Sequence, residues 1–271
     1  MISTVRLRMR MLALAALAIA VAATAPFAAA QESGATPGSR LLDKGTFLIS
    51  LRGKLLGREN FAIDVAGDSM VVRATSIVSH RIDGVDQQVK KLLNMTVSRD
   101  DYALRNYLSN ERVGGHERIR GISLSSDTVF TIFKEVDGRG IGTAYPMPPG
   151  RVYVLESQLY TLMYYIALSL HSQPFDVRPI NIVTLADRDT TAEAQVARLP
   201  SEPLRWGGKS VTASHLQFRQ EPLVFDLWLD RQGRLLLMTH TGTGLRIERE
   251  AATTTPRPRT PAAAKSPSKP G

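Results

Sequence analysis

The chain has 271 residues and no cysteine. No disulfide can hold it together, and no thiolate can serve as a nucleophile or metal ligand. The lack also rules out a lipid-modified N-terminal cysteine. There are only five histidines, His80, His116, His171, His215 and His240. They show neither H-x-H nor H-E-x-x-H spacing, so no local zinc ligand set is written here. The G-x-S-x-G elbow, the Walker A loop and the dinucleotide-binding glycine fingerprint are absent too. No repeat of solenoid or propeller period is visible.

Two short stretches suggest chemistry but lack its remaining parts. Gly67-Asp68-Ser69 resembles the nucleophile block of one esterase class, which needs a late D-x-x-H. The late histidines His215 and His240 are preceded three residues earlier by Thr212 and Leu237. A tight turn between strands is the better reading. Asp187 and Asp189 evoke a calcium loop, yet the glycine position is Ala192 and the closing acid falls on Arg198. That stretch reads as a polar hairpin turn. No catalytic or metal-binding residues are assigned, and no cofactor is expected.

The first thirty residues are an export address. Arg6, Arg8 and Arg10 form a basic region, Met11–Ala25 is apolar, and Ala28, Ala29 and Ala30 precede Gln31 as a cleavage site would require. The apolar run falls short of the roughly 20 residues that span a bilayer. The arginines are not adjacent, so there is no twin-arginine pair. Residues 1–30 are therefore expected to be a cleaved signal peptide, and the mature chain to be periplasmic or extracellular.

The net charge of +9 sits mostly in the appendages. The signal carries three positive charges, and residues 251–271 carry four more, on Arg257, Arg259, Lys265 and Lys269. Only +2 is left for the body, without a basic stripe interleaved with aromatics, so nucleic-acid binding is rejected. The tail is rich in Pro, Ala, Thr, Ser and Lys and cannot bury enough apolar surface to fold. Its four charges would support a salt-sensitive contact with an anionic envelope surface.

Between the ends, residues 31–44 read as a flexible leader and 45–250 as one β-rich domain. Phe47, Ile49 and Leu51 alternate with polar neighbours, GKLLG turns the chain, and Phe61, Ile63 and Val65 resume the alternation: a hairpin. Further strand signals follow at 69–82, 89–98 and 102–109, then as two more before Asp137-Gly138. An Asp83-Gly84 turn is one of the links. Gly140–Arg151 reads as irregular. After the helix, strands resume in INIVTLAD, AEAQVARL, SVTASHLQFR, PLVFDLWLD and GRLLLMTHT, with PSEPLRWGGK as a turn-rich link.

The stretch ESQLYTLMYYIALSLH, residues 156–171, is the exception. Leu155, Leu159, Leu162, Met163, Ile166 and Leu170 form one stripe at helical period, while Gln158, Thr161, Tyr165 and Ser169 form a polar flank. Tyr160, Tyr164 and Leu168 lie on the far side. A helix over 155–171 with so wide an apolar arc must be buried against more than a flat surface. The fold expected is mainly β: a strongly curved antiparallel sheet, a half-open barrel of about eleven strands, wrapped on one central helix. Two packed sheets with the helix as a crossover are the second architecture.

FLISLRGKLLGRENFAID and FDLWLDRQGRLLLM resemble the opening and closing hairpins of a family of exported bacterial proteins of unknown function, similar in architecture to lipoprotein-carrier half-barrels. The resemblance implies a cavity for an apolar ligand and transfers no catalytic residue. Phe47, Ile49, Phe61, Ile63, Tyr160, Tyr164, Leu168 and Trp228 are then the candidates to line it. The function expected is that of a monomeric, non-enzymatic envelope protein binding an apolar or lipid-like ligand. The alternatives are a structural or interaction module with no cavity, and an enzyme whose site is assembled from distant residues.

Overall fold

The computed structural model describes residues 38–251, apart from 83, 84, 125 and 127. The expected signal peptide, the basic tail and the Asp83-Gly84 turn lie outside the described residues. The first eight strands are β1 (Arg40–Leu51), β2 (Lys54–Ala66), β3 (Ser69–Ile82), β4 (Val85–Ser98), β5 (Leu104–Val113), β6 (His116–Leu124), β7 (Val129–Val136) and β8 (Arg139–Pro146). β9 (Val152–Glu156) leads into the helix α1 (Thr161–His171). The chain then forms β10 (Val177–Leu185), β11 (Thr190–Trp206), β12 (Lys209–Gln220), β13 (Leu223–Leu229), β14 (Leu235–His240) and β15 (Leu245–Arg249).

All fifteen strands belong to one sheet, which runs from β8 down to β1, then from β15 down to β9. The first and last strands are joined antiparallel, with Ile49 opposite Ile247. Every pairing is antiparallel except β9 with β10, which are parallel. A parallel pair cannot be joined by a hairpin and needs a crossover. α1 supplies it, which is why one helix stands among so many strands.

These findings overturn the expected half-open barrel. The sheet is open, with β8 and β9 as its two edges, and it is mixed rather than wholly antiparallel. It has fifteen strands, not about eleven, and it is not a strongly curved sheet wrapped on a helix. The missing strands were hidden for identifiable reasons. β8 is so rich in glycine (RGIGTAYP) that it reads as loop, and edge strands tolerate such sequences. VYVLE, five residues long, is too short for its alternation to be told from the helical stripe that follows. The helix therefore begins at Thr161 rather than 155. PSEPLRW continues β11 past a register shift between Leu199 and Glu202. The leader expected over 31–44 overlaps β1, which begins at Arg40.

Local sequence sets the turns. Asp137 and Gly138 both have positive φ, 48° and 80°, the type I′ geometry that joins β7 to β8 by two residues. Gly57 answers a different need. A Cβ there would lie 2.0 Å from the Ile77 carbonyl oxygen on the neighbouring strand, so no side chain fits.

α1 is buried almost all round, including Thr161, Tyr165 and Ser169 from its supposed polar flank. The polar atoms of these residues are satisfied inside: Ser169 Oγ lies 2.8 Å from the Tyr153 hydroxyl, and the Tyr165 hydroxyl donates to the Tyr102 carbonyl. Such bonds allow hydroxyls into a core that would otherwise exclude them. No helix among the described residues is long and apolar enough to cross a membrane.

Candidate functional site

The chemistry-bearing side chains gather around the β9–α1 connection. In β4, Val89, Lys91, Leu93, Met95 and Val97 share one face by the two-residue period of a strand, and all are buried. Lys91 is thus carried into the interior by its apolar neighbours. Arg120 enters beside Ile122 on β6, and Glu59 beside Phe61 and Ile63 on β2, in the same way.

Glu156, the last residue of β9, meets this wall. Its Oε2 accepts from the Tyr107 and Ser109 hydroxyls, each at 2.6 Å. Its Oε1 accepts from Lys91 Nζ at 2.9 Å and Arg120 Nη1 at 2.7 Å. Lys91 also pairs with Glu111 at 2.7 Å. Burial is the largest single influence on Glu156 and pulls its pKa upward. Lys91, the two hydroxyls and Arg120 together outweigh it and hold the carboxyl below its usual range. The Tyr107 hydroxyl is pushed well up, by burial first and then by the adjacent carboxylate. Further along the same face, Lys134 on β7 reaches Asp189 in the β10–β11 turn at 2.8 Å.

Glu59 is wholly buried and holds the start of the helix. It accepts from the backbone N–H of Tyr160 at 2.9 Å and of Thr161 at 2.6 Å, and from the Thr161 hydroxyl. These are donors that a helix N-terminus leaves unsatisfied, and α1 has no capping side chain of its own. Burial pushes the Glu59 carboxyl up to about 7, against the downward pull of those hydrogen bonds.

The third cluster lies where the first and last strands, β1 and β15, meet. Arg249 grips Asp43 with two parallel bonds, 2.8 and 2.6 Å, and the Tyr164 hydroxyl donates to the same carboxylate at 2.6 Å. Beneath it, Phe47 and Phe61 stack at 4.6 Å, and Tyr164 packs edge-on against both, at 6.0 and 5.5 Å.

This packing corrects the expected ligand cavity. Phe47, Ile49, Phe61, Ile63 and Tyr164 do come together, but as a filled core: Phe47, Ile49, Ile63 and Tyr164 are all 0% exposed. Tyr160 and Leu168 are partly buried against the same core. Trp228 is elsewhere. Its neighbours Leu227 and Leu229 point inward, so Trp228 faces outward and stacks on His215 at 4.7 Å. An open recess beside β1 and β15, lined by Leu41, Leu42, Trp206 and Arg249 among others, is no enclosed apolar site.

Gly67-Asp68 forms the turn read from the sequence. The Ser69 hydroxyl bonds Asp68 at 2.9 Å and accepts from Arg105 at 2.7 Å, which spends it on the turn. Among the described residues, no group of three or more His, Asp or Glu is placed to hold a metal ion. Glu156, Lys91 and Arg120 are all buried, and their ion pairs and hydrogen bonds tie the end of β9 to β4, β5 and β6.

Lys91, Arg120, Glu59 and Glu156 were missed in the sequence, as was Asp43, which fell in the supposed leader. For Lys91, Arg120 and Glu59 a signal existed: each is a charged residue in phase with the apolar alternation of its strand. Asp43 is likewise in phase with Phe47 and Ile49 on β1, but it lay in the stretch read as leader.

No family model matches the chain, and no curated protein matches it. Among solved structures, a DUF1089 family protein from Pseudomonas aeruginosa, determined at 1.80 Å, aligns with a TM-score of 0.41 and 12% identity. The alignment covers 68% of this chain and 90% of that one.

Proposed function

We propose that the chain is a non-enzymatic structural or interaction module of the cell envelope, with a packed core and no ligand cavity. One observation carries this reading: the space between helix and sheet, where a ligand would sit, is filled by Phe47, Phe61 and Tyr164 and locked by Asp43 and Arg249. Interiors at native packing density leave no room for a guest without rearrangement.

The placement in the envelope rests on the arginines and apolar run of residues 1–30, and makes the mature chain begin at Gln31. The tail, through Arg257, Arg259, Lys265 and Lys269, makes a weak contact with an anionic envelope surface. Its strength falls with salt because exposed charges are screened.

Native mass spectrometry of the chain purified from an exporting host tests both parts. The expected species starts at Gln31 and carries no extractable lipid. A stoichiometric lipid or fatty acid would overturn the cavity-free module. In parallel, binding to phosphatidylglycerol vesicles at low salt is expected to disappear when residues 251–271 are removed. Binding that survives the truncation would refute the tail contact.

A further inference from the structure

The two edges of the sheet differ in exposure. β9 is buried, whereas in β8 every residue from Arg139 to Ala144 is exposed. The two-residue turn makes Val136 and Arg139 a hydrogen-bonded pair, so the odd-numbered residues of β8 bond to β7. Met147 N–H donating to the Thr128 carbonyl at 2.8 Å keeps the same phase. The outward N–H and C=O groups therefore belong to Gly140, Gly142 and Ala144, and Pro146 ends the run. Among the described residues no other strand pairs with this ladder, and its side chains are a hydrogen, a hydrogen and a methyl, so another backbone can approach closely. Apolar surface accompanies it: Ile141 is 69% exposed, and Phe133 and Val136 on β7 are also exposed.

We propose that β8 is a self-pairing edge, which joins two copies of this chain antiparallel about a two-fold axis at Gly142. This goes beyond the envelope reading and does not depend on it, and it departs from the monomer expected from the sequence. The choice of a second copy follows from the strand's own sequence. With Gly142 opposite Gly142, Gly140 faces Ala144, so all three outward residues find hydrogen-bonding partners in both directions. Ile141 then lies opposite Thr143, and Arg139 opposite Tyr145, a cation beside an aromatic ring. No like charges face each other, a condition for stable cross-strand pairs. Edge strands left open in this way are templates for a further strand. The contact is confined to one strand per copy, so the dimer is weak and concentration-dependent.

The register allows a charge-swap test. A Cβ at Gly142 meets nothing nearer than a Thr131 methyl at 3.5 Å, so a side chain there leaves the fold intact. Gly142→Lys places two ammonium groups face to face across the axis, and Gly142→Glu places two carboxylates there. Sedimentation of the purified chain is expected to show a monomer–dimer equilibrium. Each variant alone should lose about tenfold or more in dimer affinity, and an equimolar mixture of the two should recover it as a heterodimer. A native chain that stays monomeric at the highest attainable concentration overturns the proposal and leaves the edge to a strand from another protein. A dimer indifferent to both variants overturns it as well, as does a mixture that fails to re-associate.

Discussion

Glu156 and Glu59 sit at either end of the same short connection, Ser157–Tyr160, and both are removed from water. Glu156 is surrounded by Lys91, Arg120 and two hydroxyls and stays ionised. Glu59 receives the helix N-terminus and one hydroxyl, with no cation bonded to it among the described residues, and its carboxyl rises to about 7. One linker is thus held by an ionised clamp on its strand side and, on its helix side, by a carboxyl that is about half protonated near pH 7. What decides the state of a buried carboxyl is whether full charges or only dipoles compensate its lost hydration.

The largest expected effect comes from breaking the charged end. Glu156→Ala leaves Lys91 and Arg120 buried with one carboxylate, Glu111, between them, and should cost about 3–5 kcal/mol. Urea unfolding at neutral pH measures it; a loss below about 1 kcal/mol would mean that the network relaxes into solvent.

The two ends should also respond oppositely to pH. Glu59 has a folded pKa above its ordinary 4.5. Its contribution is fully present below about 4.5 and is lost as pH rises through about 7, by roughly 2–4 kcal/mol. Glu156 has a lowered pKa, so its contribution is present above the ordinary value and is lost as pH falls below it. Glu59→Gln should therefore flatten the decline between about pH 4.5 and 7 while leaving the acid limb in place. Chemical denaturation across pH distinguishes the two, and an unchanged neutral limb would contradict the assignment.

Smaller effects probe the third cluster and the outer face. Tyr164→Phe removes one hydrogen bond to Asp43 but keeps the ring between Phe47 and Phe61, and should cost about 1–2 kcal/mol. Trp228→Ala, outward and half-exposed, should cost less than Tyr164→Ala, since only the latter opens a void in a filled core. Equal losses would place Trp228 in the core after all. Melting curves of the three variants provide the ranking.

The hairpins were readable where alternation and turn chemistry agreed. β3 was read over 69–82, as observed, because alternating apolar residues run between a Gly-Asp turn and the next turn. Asp137-Gly138 was read as the close of a strand, and the structure shows the type I′ turn there. The same rules misread β8, whose glycines serve an edge strand, and Val152–Glu156, whose few residues fit two periods equally well. Among the eight residues proposed to line a cavity, five do meet, because they are the apolar faces of β1, β2 and α1. Whether five converging side chains leave a hole or fill it depends on distances between strands far apart in the chain.

The sequence by itself determined that this is a cysteine-free, mainly β chain with one buried helix, since period, turn residues and composition act over a few neighbouring positions. Only the tertiary structure decided the parallel β9–β10 pair, the open order of the sheet, and the partners of Glu59, Lys91, Asp43 and Glu156. Those depend on which strands become neighbours, and residues such as Asp43 and Arg249 meet across 206 positions of chain. A buried charge is tolerated only where its partner arrives, and no local pattern encodes that arrival.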